Sequence, residues 1–263
     1  MLVAEKPSHM VRHTLAVVLL FLILTISSAI GFAQVPRNPN SLATQVVDPT
    51  APLKFMNLQN IYSWSTWGFN DRQNQAAFRA NIPHDAFGLQ NVMRVTTPYT
   101  TSQPSGLRGL DDVVMYNIFV YPEKRGSLAL GGDIFLGTNK GPGINTFAIG
   151  PTLGIVMKKN KWLYGVFNQN FFSFGDIATT QLNPVLAYTF NDKLSVAYGN
   201  DAQYTLDWKK SRFVNAPLSI EINYISSIPH QTVRYFVNPQ YNFVNETGAR
   251  KWSINAGVGF IVK

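Results

Sequence analysis

Charged side chains recur inside the long apolar runs of this chain, and their chemistry is that of ion pairing. A guanidinium stays ionised and can bind a carboxylate through two hydrogen bonds. Arginines and acids that share an enclosed space therefore predict salt bridges or a site for charged solutes. The candidates for lining such an interior, all on the polar side of alternating segments, are Arg79, Arg94, Asp133, Asp201, Asp207, Lys209, Glu221 and Arg234.

Two interpretations of these charges stay open at this point. They brace an interior through salt bridges, or they line a pathway and select the solute that passes. Arg94 and Arg234 lie well inside their segments, and we predict that they pair with one or more interior carboxylates. The carboxylates that could serve are Asp133, Asp201, Asp207 and Glu221.

No set of residues in the sequence is typical of a catalytic or metal site. The chain has no HExxH, GxSxG or phosphate-binding-loop motif. His84 and His230 each follow a proline in a predicted turn, without a Ser or Asp at useful spacing. The absence of cysteine excludes disulfides, thiolate zinc ligands and an acylated lipoprotein terminus. We predict no enzyme activity, no catalytic residue, no metal and no cofactor.

Period-two alternation sets the structure that must position the charges. In residues 194–209 one alternating set holds Tyr198, Tyr204 and Trp208, whereas the other holds Asp201 and Asp207. A strand sends alternate side chains to opposite faces, whereas a helix would mix the two sets. The run is longer than the roughly five or six residues usual in soluble strands and the roughly 9–11 that a tilted strand needs to cross a bilayer.

The same pattern repeats along the chain, with tight and long connections in alternation. The predicted strands are residues 53–63, 74–82, 89–99, 111–121, 127–138, 145–157, 162–174, 180–190, 194–209, 216–225, 232–244 and 252–262. Open sheet edges are too costly in lipid, so the sheet must close on itself. We predict an all-β fold over residues 51–263, a closed antiparallel transmembrane β-barrel of about twelve strands in an up-and-down meander. A soluble secreted β-sandwich binding protein is the alternative.

The N-terminal region is typical of an exported protein. Residues 1–33 combine early basic residues, an apolar run and small residues before Gln34, which predicts a cleaved signal peptide. An uncleaved N-terminal anchor is the alternative. Residues 34–50 are polar and contain several prolines, which predicts an irregular periplasmic lead-in. The expected location is the outer membrane of a Gram-negative bacterium.

Composition agrees with a membrane barrel and gives no sign of nucleic-acid binding. Net charge is +8, but the basic residues are scattered, and a nucleic-acid surface would need them clustered. Aromatic residues make up 13% of the chain, enough for rings at two membrane interfaces. The girdle candidates are Tyr99, Tyr121, Trp162, Trp208 and Trp252, and packing inside a core is their alternative role.

Short motifs in a consistent order give the chain a family resemblance over about residues 53–263. They are Leu58-Gln59-Asn60, Arg94 with Pro98-Tyr99, Gly109-Leu110-Asp111-Asp112, Gly150-Pro151, Asn183-Pro184 and Asp207-Trp208. With these motifs the chain resembles the outer-membrane β-barrel transporter family associated with the meta-cleavage pathway of phenol degradation. The resemblance implies an outer-membrane barrel that helps small hydrophobic or aromatic compounds to cross.

The predicted function is therefore a passive outer-membrane channel or transporter. A structural outer-membrane barrel with a filled lumen remains an alternative, because the sequence does not decide between a filled and an open interior. The expected partners are outer-membrane lipid, the barrel-assembly machinery and a small solute of unknown identity. Nucleic acid is not an expected partner.

Overall fold

The computed structural model describes residues 41–69, 71–138, 143–175, 177–199, 201–229 and 231–262. The predicted signal peptide and residues 34–40 of the predicted lead-in lie outside these ranges, as does His230. The helix α1, Leu42–Gln45, precedes the first strand. No helix in the described ranges is long and apolar enough to cross a membrane.

Sixteen strand segments follow α1 within the described ranges. They are β1 Phe55–Thr66, β2 Gln73–Ala86, β3 Leu89–Ser102, β4 Gly109–Leu110, β5 Val113–Glu123, β6 Gly126–Leu136, β7 Phe147–Lys159, β8 Trp162–Phe172, β9 Ala178–Thr189, β10 Leu194–Ala197, β11 Tyr204–Asp207, β12 Arg212–Asn215, β13 Pro217–Ser219, β14 Glu221–Ile228, β15 Gln231–Asn242 and β16 Arg250–Ile261.

These segments form the twelve strands of one closed antiparallel barrel. The segments β4 and β5 make its fourth strand, β10 and β11 its ninth, and β12 to β14 its tenth. Each strand pairs with the next along the chain, and β16 pairs with β1 from Ile261↔Phe55 to Arg250↔Thr66. The predicted up-and-down barrel is confirmed, and the two-sheet sandwich is wrong because one sheet closes on itself.

The two faces of the barrel invert the usual pattern of a soluble protein. Many apolar side chains of the strands point outward and remain exposed, as Leu58 does at 57% and Ile149 at 53%. Asn57, Asn223 and Asn255 point inward and are at most 1% exposed. Soluble proteins bury apolar side chains rather than asparagine. An apolar outer belt is the arrangement that lipid requires of a spanning barrel, and asparagines such as these can lie only on the inner face.

The connections fall into two classes at the two ends. Both described chain ends lie with the short turns, such as residues 87–88, 124–125 and 160–161. Longer connections, such as residues 103–108 and 243–249, lie at the opposite end. In outer-membrane barrels the short-turn end faces the periplasm, so we call it the periplasmic end and the other the extracellular end.

The predicted strand 194–209 is not continuous. It divides into β10 and β11, and between them the Asp201 side chain reaches into the interior. Lys209, predicted to point inward, is exposed in the turn of residues 208–211 that follows β11. Another predicted turn is strand instead, because β2 continues through Pro83 and His84 to Ala86.

Candidate functional site: the barrel interior

A charged cluster crosses the middle of the lumen. The Arg79 guanidinium on β2 forms a salt bridge with the Asp201 carboxylate, which comes from the segment between β10 and β11. Asp201 also accepts hydrogen bonds from Gln59 Nε2 at 2.9 Å and Asn255 Nδ2 at 2.7 Å. These partners lie on β1, β2 and β16, so the cluster ties one wall of the barrel to the opposite wall.

A second ion pair is buried between neighbouring strands. Arg234 on β15 donates from Nη2 to Glu221 Oε1 on β14 at 2.7 Å, and from Nε to Asn223 Oδ1 at 2.7 Å. The two charged side chains are only 3% and 1% exposed. The pairing predicted for Arg234 is thus present, and it is shielded from solvent.

The pairing with a carboxylate that was predicted for Arg94 is wrong. Its Nε donates to Asn81 Oδ1 at 2.7 Å, and its guanidinium carbon lies 5.1 Å from the centre of the Tyr116 ring. No carboxylate among the described residues lies within 4.0 Å of the guanidinium. The sheet register explains this, because Asn81 and Tyr116 are the direct cross-strand neighbours of Arg94 and neither carries a charge at neutral pH.

Asp133 lies inward, and no cationic side chain of the described residues is within 4.0 Å of it. Its carboxylate accepts hydrogen bonds from Thr152 Oγ1, from Gln169 Nε2 at 2.8 Å and from the backbone N–H of Asn170 at 3.2 Å. The β7–β8 pairing skips from Ile149↔Phe172 to Thr152↔Gln169. Pro151 lies in that gap and has no N–H to give to the ladder. The Asp133 carboxylate therefore accepts the backbone N–H of Asn170 at the point where Pro151 interrupts the hydrogen bonds of the ladder.

We predict that Asp133→Ala lowers the free energy of unfolding by about 1–3 kcal/mol, because it leaves buried donors without an acceptor. Urea-induced unfolding in lipid vesicles measures the change. Asp192→Ala, in the exposed turn between β9 and β10, is the matched control. Equal stability of the Asp133 and Asp192 variants would show that the carboxylate does not hold this part of the wall.

Asp207 lies at the extracellular rim rather than along the lumen. It accepts the backbone N–H groups of Lys209 and Lys210 at 2.9 and 3.1 Å, which closes the turn after β11. Alternation placed it inward, but the strand ends there and the carboxylate caps the turn. At the same rim Lys210 and Arg212 bind Glu246, and the hydrogen bond from Lys210 lowers the pKa of the Glu246 carboxyl group.

Polar space runs from the extracellular end to the middle of the lumen. A vestibule of about 350 Å³ is lined by Gln75, Asp111, Asn215, Arg250 and other polar residues, with Asp201 at its inner side. An inner cavity of about 180 Å³ follows. It is lined by Arg79, Arg94, Thr96, Val114, Tyr116, Gln169, Gln181, Asp201 and Gln203. Because Asp201 lines both, the two spaces adjoin at the central ion pair.

The periplasmic half of the lumen is filled. Residues 41–53, which we call the inner segment, lie inside the barrel before β1 begins. Ala43, Val46, Val47 and Ala51 are all under 5% exposed. They belong to one apolar cluster with inward side chains of the wall: Ile118, Val120, Val156, Leu163, Phe167 and Val185. Part of the predicted periplasmic lead-in thus closes the inner half of the barrel.

A few polar contacts hold the inner segment to the wall. The hydroxyl oxygens of Thr44 and Thr189 share a hydrogen bond at 2.9 Å, and those of Thr50 and Ser127 share one at 2.6 Å. Lys158 Nζ lies 2.8 Å from an oxygen of Asp48. Sequence reasoning missed this segment, although the apolar spacing of residues 43, 46 and 47 indicates a helical face.

The five girdle candidates are exposed on the outer surface or at its rim. Tyr121 and Trp162 lie near the periplasmic end, where Trp162 packs edge-on to Tyr188 with ring centres 4.9 Å apart. Tyr99 and Trp252 lie near the extracellular end, and the Trp252 ring stacks on Trp64. Trp208 lies in the rim turn after β11. These positions make two aromatic bands, the arrangement that interfacial anchoring needs.

Comparison with known proteins identifies the class of fold. No protein-family model matches the chain, and no curated protein matches it. Among solved structures the chain is similar to the KdgM porin, with a TM-score of 0.55 and 10% identity over 80% of this chain and 99% of that one. It is similar to the NanC porin, with a TM-score of 0.54 and 10% identity over 79% and 99%.

A third structure, the KdgM porin in complex with disordered oligogalacturonate, matches with a TM-score of 0.50 and 11% identity over 79% and 99% of the two chains. At these identities the likeness shows the fold alone, a porin-type barrel of twelve strands. The association with phenol degradation stays a prediction. In the described residues no group of three or more His, Cys, Asp or Glu side chains could hold a metal.

Proposed function

We propose that this protein is an outer-membrane channel for small solutes, closed by the inner segment and opened when that segment leaves the lumen. The observation that carries the proposal is the unequal filling of the barrel. The extracellular half holds a polar vestibule and cavity, whereas the periplasmic half is closed by a segment that belongs to no barrel strand. Displacing this segment would open the inner half without breaking a barrel strand.

The charge distribution bears on the class of solute. Arg79 and Arg234 are neutralised by Asp201 and Glu221, so the lumen is not a continuous basic track. A long acidic polymer such as the oligogalacturonate named for the KdgM porin would need repeated cationic contacts. Small solutes fit the volumes of the vestibule and the inner cavity better than such a polymer does. The aromatic compounds that the family resemblance implies are small enough for these spaces, and we include them among the proposed solutes. The proposal also includes outer-membrane lipid and the barrel-assembly machinery as partners, and a signal peptide that is cleaved on export.

The second candidate function is a structural barrel with a filled lumen, which the apolar cluster around the inner segment favours. Reconstitution of the purified mature protein in a planar bilayer separates the two. A channel produces discrete conductance steps that close and reopen, since the inner segment can leave and return. A structural barrel leaves the bilayer as silent as one without protein, and that result would refute channel function.

A further inference from the structure

Two arginines of the lumen, Arg94 and Arg250, have no carboxylate within 4.0 Å among the described residues. Arg250 donates to Gln75 and lines the vestibule, whereas Arg94 borders the inner cavity. Arg79 and Arg234 each hold a carboxylate, and the Asp133 carboxylate is held by three neutral donors. Arg94 makes one hydrogen bond, from Nε to Asn81, and no carboxylate among the described residues is within 4.0 Å of it. Arg94 is partly buried and faces the inner cavity, so its remaining N–H groups are open to an anion.

The space beside Arg94 has the lining of a binding site. Arg94 borders the inner cavity, whose wall also carries the side-chain amides of Gln169, Gln181 and Gln203. Gln169 Nε2 already donates to Asp133 and Gln203 Nε2 to Gln169, but each amide has a second N–H. These N–H groups, the Gln181 amide and the Thr96 hydroxyl can donate further hydrogen bonds to an anion in the cavity. Val114 and the Tyr116 ring supply an apolar surface in the same cavity. The vestibule lies on the extracellular side of this cavity, and Asp201 lines both spaces.

We propose that Arg94 is the anchor of a binding site for a small aromatic carboxylate. The two carboxylate oxygens of the solute accept parallel hydrogen bonds from the guanidinium, which is the geometry that planar carboxylates prefer. The ring of the solute lies against Val114 and Tyr116. This inference deepens the proposed function, on which it rests for its biological meaning, by naming the class of solute that enters the closed channel from outside.

Calorimetric titration of the purified, full barrel in detergent micelles tests the site, with benzoate as the probe and benzamide as its uncharged counterpart. We expect benzoate to bind at least about tenfold more tightly than benzamide, since a charge-assisted hydrogen bond is worth more than a neutral one. Arg94→Gln should lower the affinity for benzoate by about tenfold or more. Arg94→Lys should keep part of that affinity because it keeps the positive charge.

Two further variants separate a local effect from a change of net charge. Arg125→Gln removes one positive charge from an exposed periplasmic turn and should leave benzoate binding unchanged. Asp201→Asn releases Arg79 from its carboxylate and should tighten benzoate binding, because a second cation then faces the cavity. Heat-dependent gel mobility of each variant confirms that the barrel is folded.

The proposal is overturned if benzoate and benzamide bind equally, if Arg94→Gln retains full affinity in a folded barrel, or if inorganic phosphate binds as tightly as benzoate. These outcomes are independent of channel function, because binding in micelles needs no conduction. A barrel that conducts but does not bind benzoate refutes this inference alone. A barrel that binds benzoate through Arg94 but never conducts refutes the proposed function alone.

Discussion

Replacement of Glu221 by alanine is expected to lower the free energy of unfolding by about 3–5 kcal/mol. The variant leaves the Arg234 guanidinium, 3% exposed, without its carboxylate inside the barrel wall. Water cannot readily replace the lost partner, since Asn223 and the Phe236 ring already occupy other sides of the guanidinium. The full cost of an uncompensated charge is therefore expected, rather than the small effect of breaking a surface salt bridge.

Urea-induced unfolding and refolding in lipid vesicles measures this change, with Ile220→Ala as the matched control on the neighbouring, lipid-facing position. The double variant Glu221→Leu with Arg234→Met should recover most of the loss, because no charge then remains unpaired. A loss below about 1 kcal/mol for Glu221→Ala would show that the ion pair is dispensable to the barrel.

Acidic residues in the inner segment are expected to open the lumen. Val46 and Val47 lie in the apolar cluster, and Val46→Asp with Val47→Asp would place two carboxylates there without a cation to meet both. Burying each unpaired charge costs several kcal/mol, so the segment should leave the barrel while the strands stay closed. We expect the double variant to be open most of the time in planar bilayers, where the wild-type protein is mostly shut.

Lys54→Asp provides the control for this result. It adds a carboxylate just beyond the inner segment, on a side chain that is exposed and outside the apolar cluster. Its conductance should match that of the wild-type protein. If the double variant folds into a heat-resistant barrel and stays shut, the inner segment is not the element that closes the lumen.

The sequence allowed the barrel to be predicted because period-two alternation records which face meets lipid. Polar Asn57 and apolar Leu58 occupy opposite faces in every strand-like conformation, so the pattern survives small errors in strand ends. Alternation carries no information about backbone pairing. The alternation continues through residues 198–203 except for Asn200 in the apolar set. The ladder is nevertheless interrupted between β10 and β11. The dipeptide Gly199-Asn200 was the available sign of a break.

The charge partners depended on register and on chain excursions, neither of which alternation records. Arg94 faces the lumen, but its cross-strand neighbours are Asn81 and Tyr116, so no carboxylate in the described part of the chain pairs with it. Asp201 reaches Arg79 only because its segment leaves the wall. The inner segment was missed for a different reason: four helical residues give too short a pattern to distinguish from an irregular lead-in.

The most direct test of the proposed closure is to lock the inner segment in place. The Thr44 and Thr189 hydroxyl oxygens are 2.9 Å apart, and the chain has no cysteine of its own, so Thr44→Cys with Thr189→Cys creates a single bridgeable pair. Single-channel conductance of this double variant is recorded in a planar bilayer before and after a reductant. We expect silence while the pair is oxidised and conductance steps after reduction. Conductance that is the same in both states would contradict closure by the inner segment.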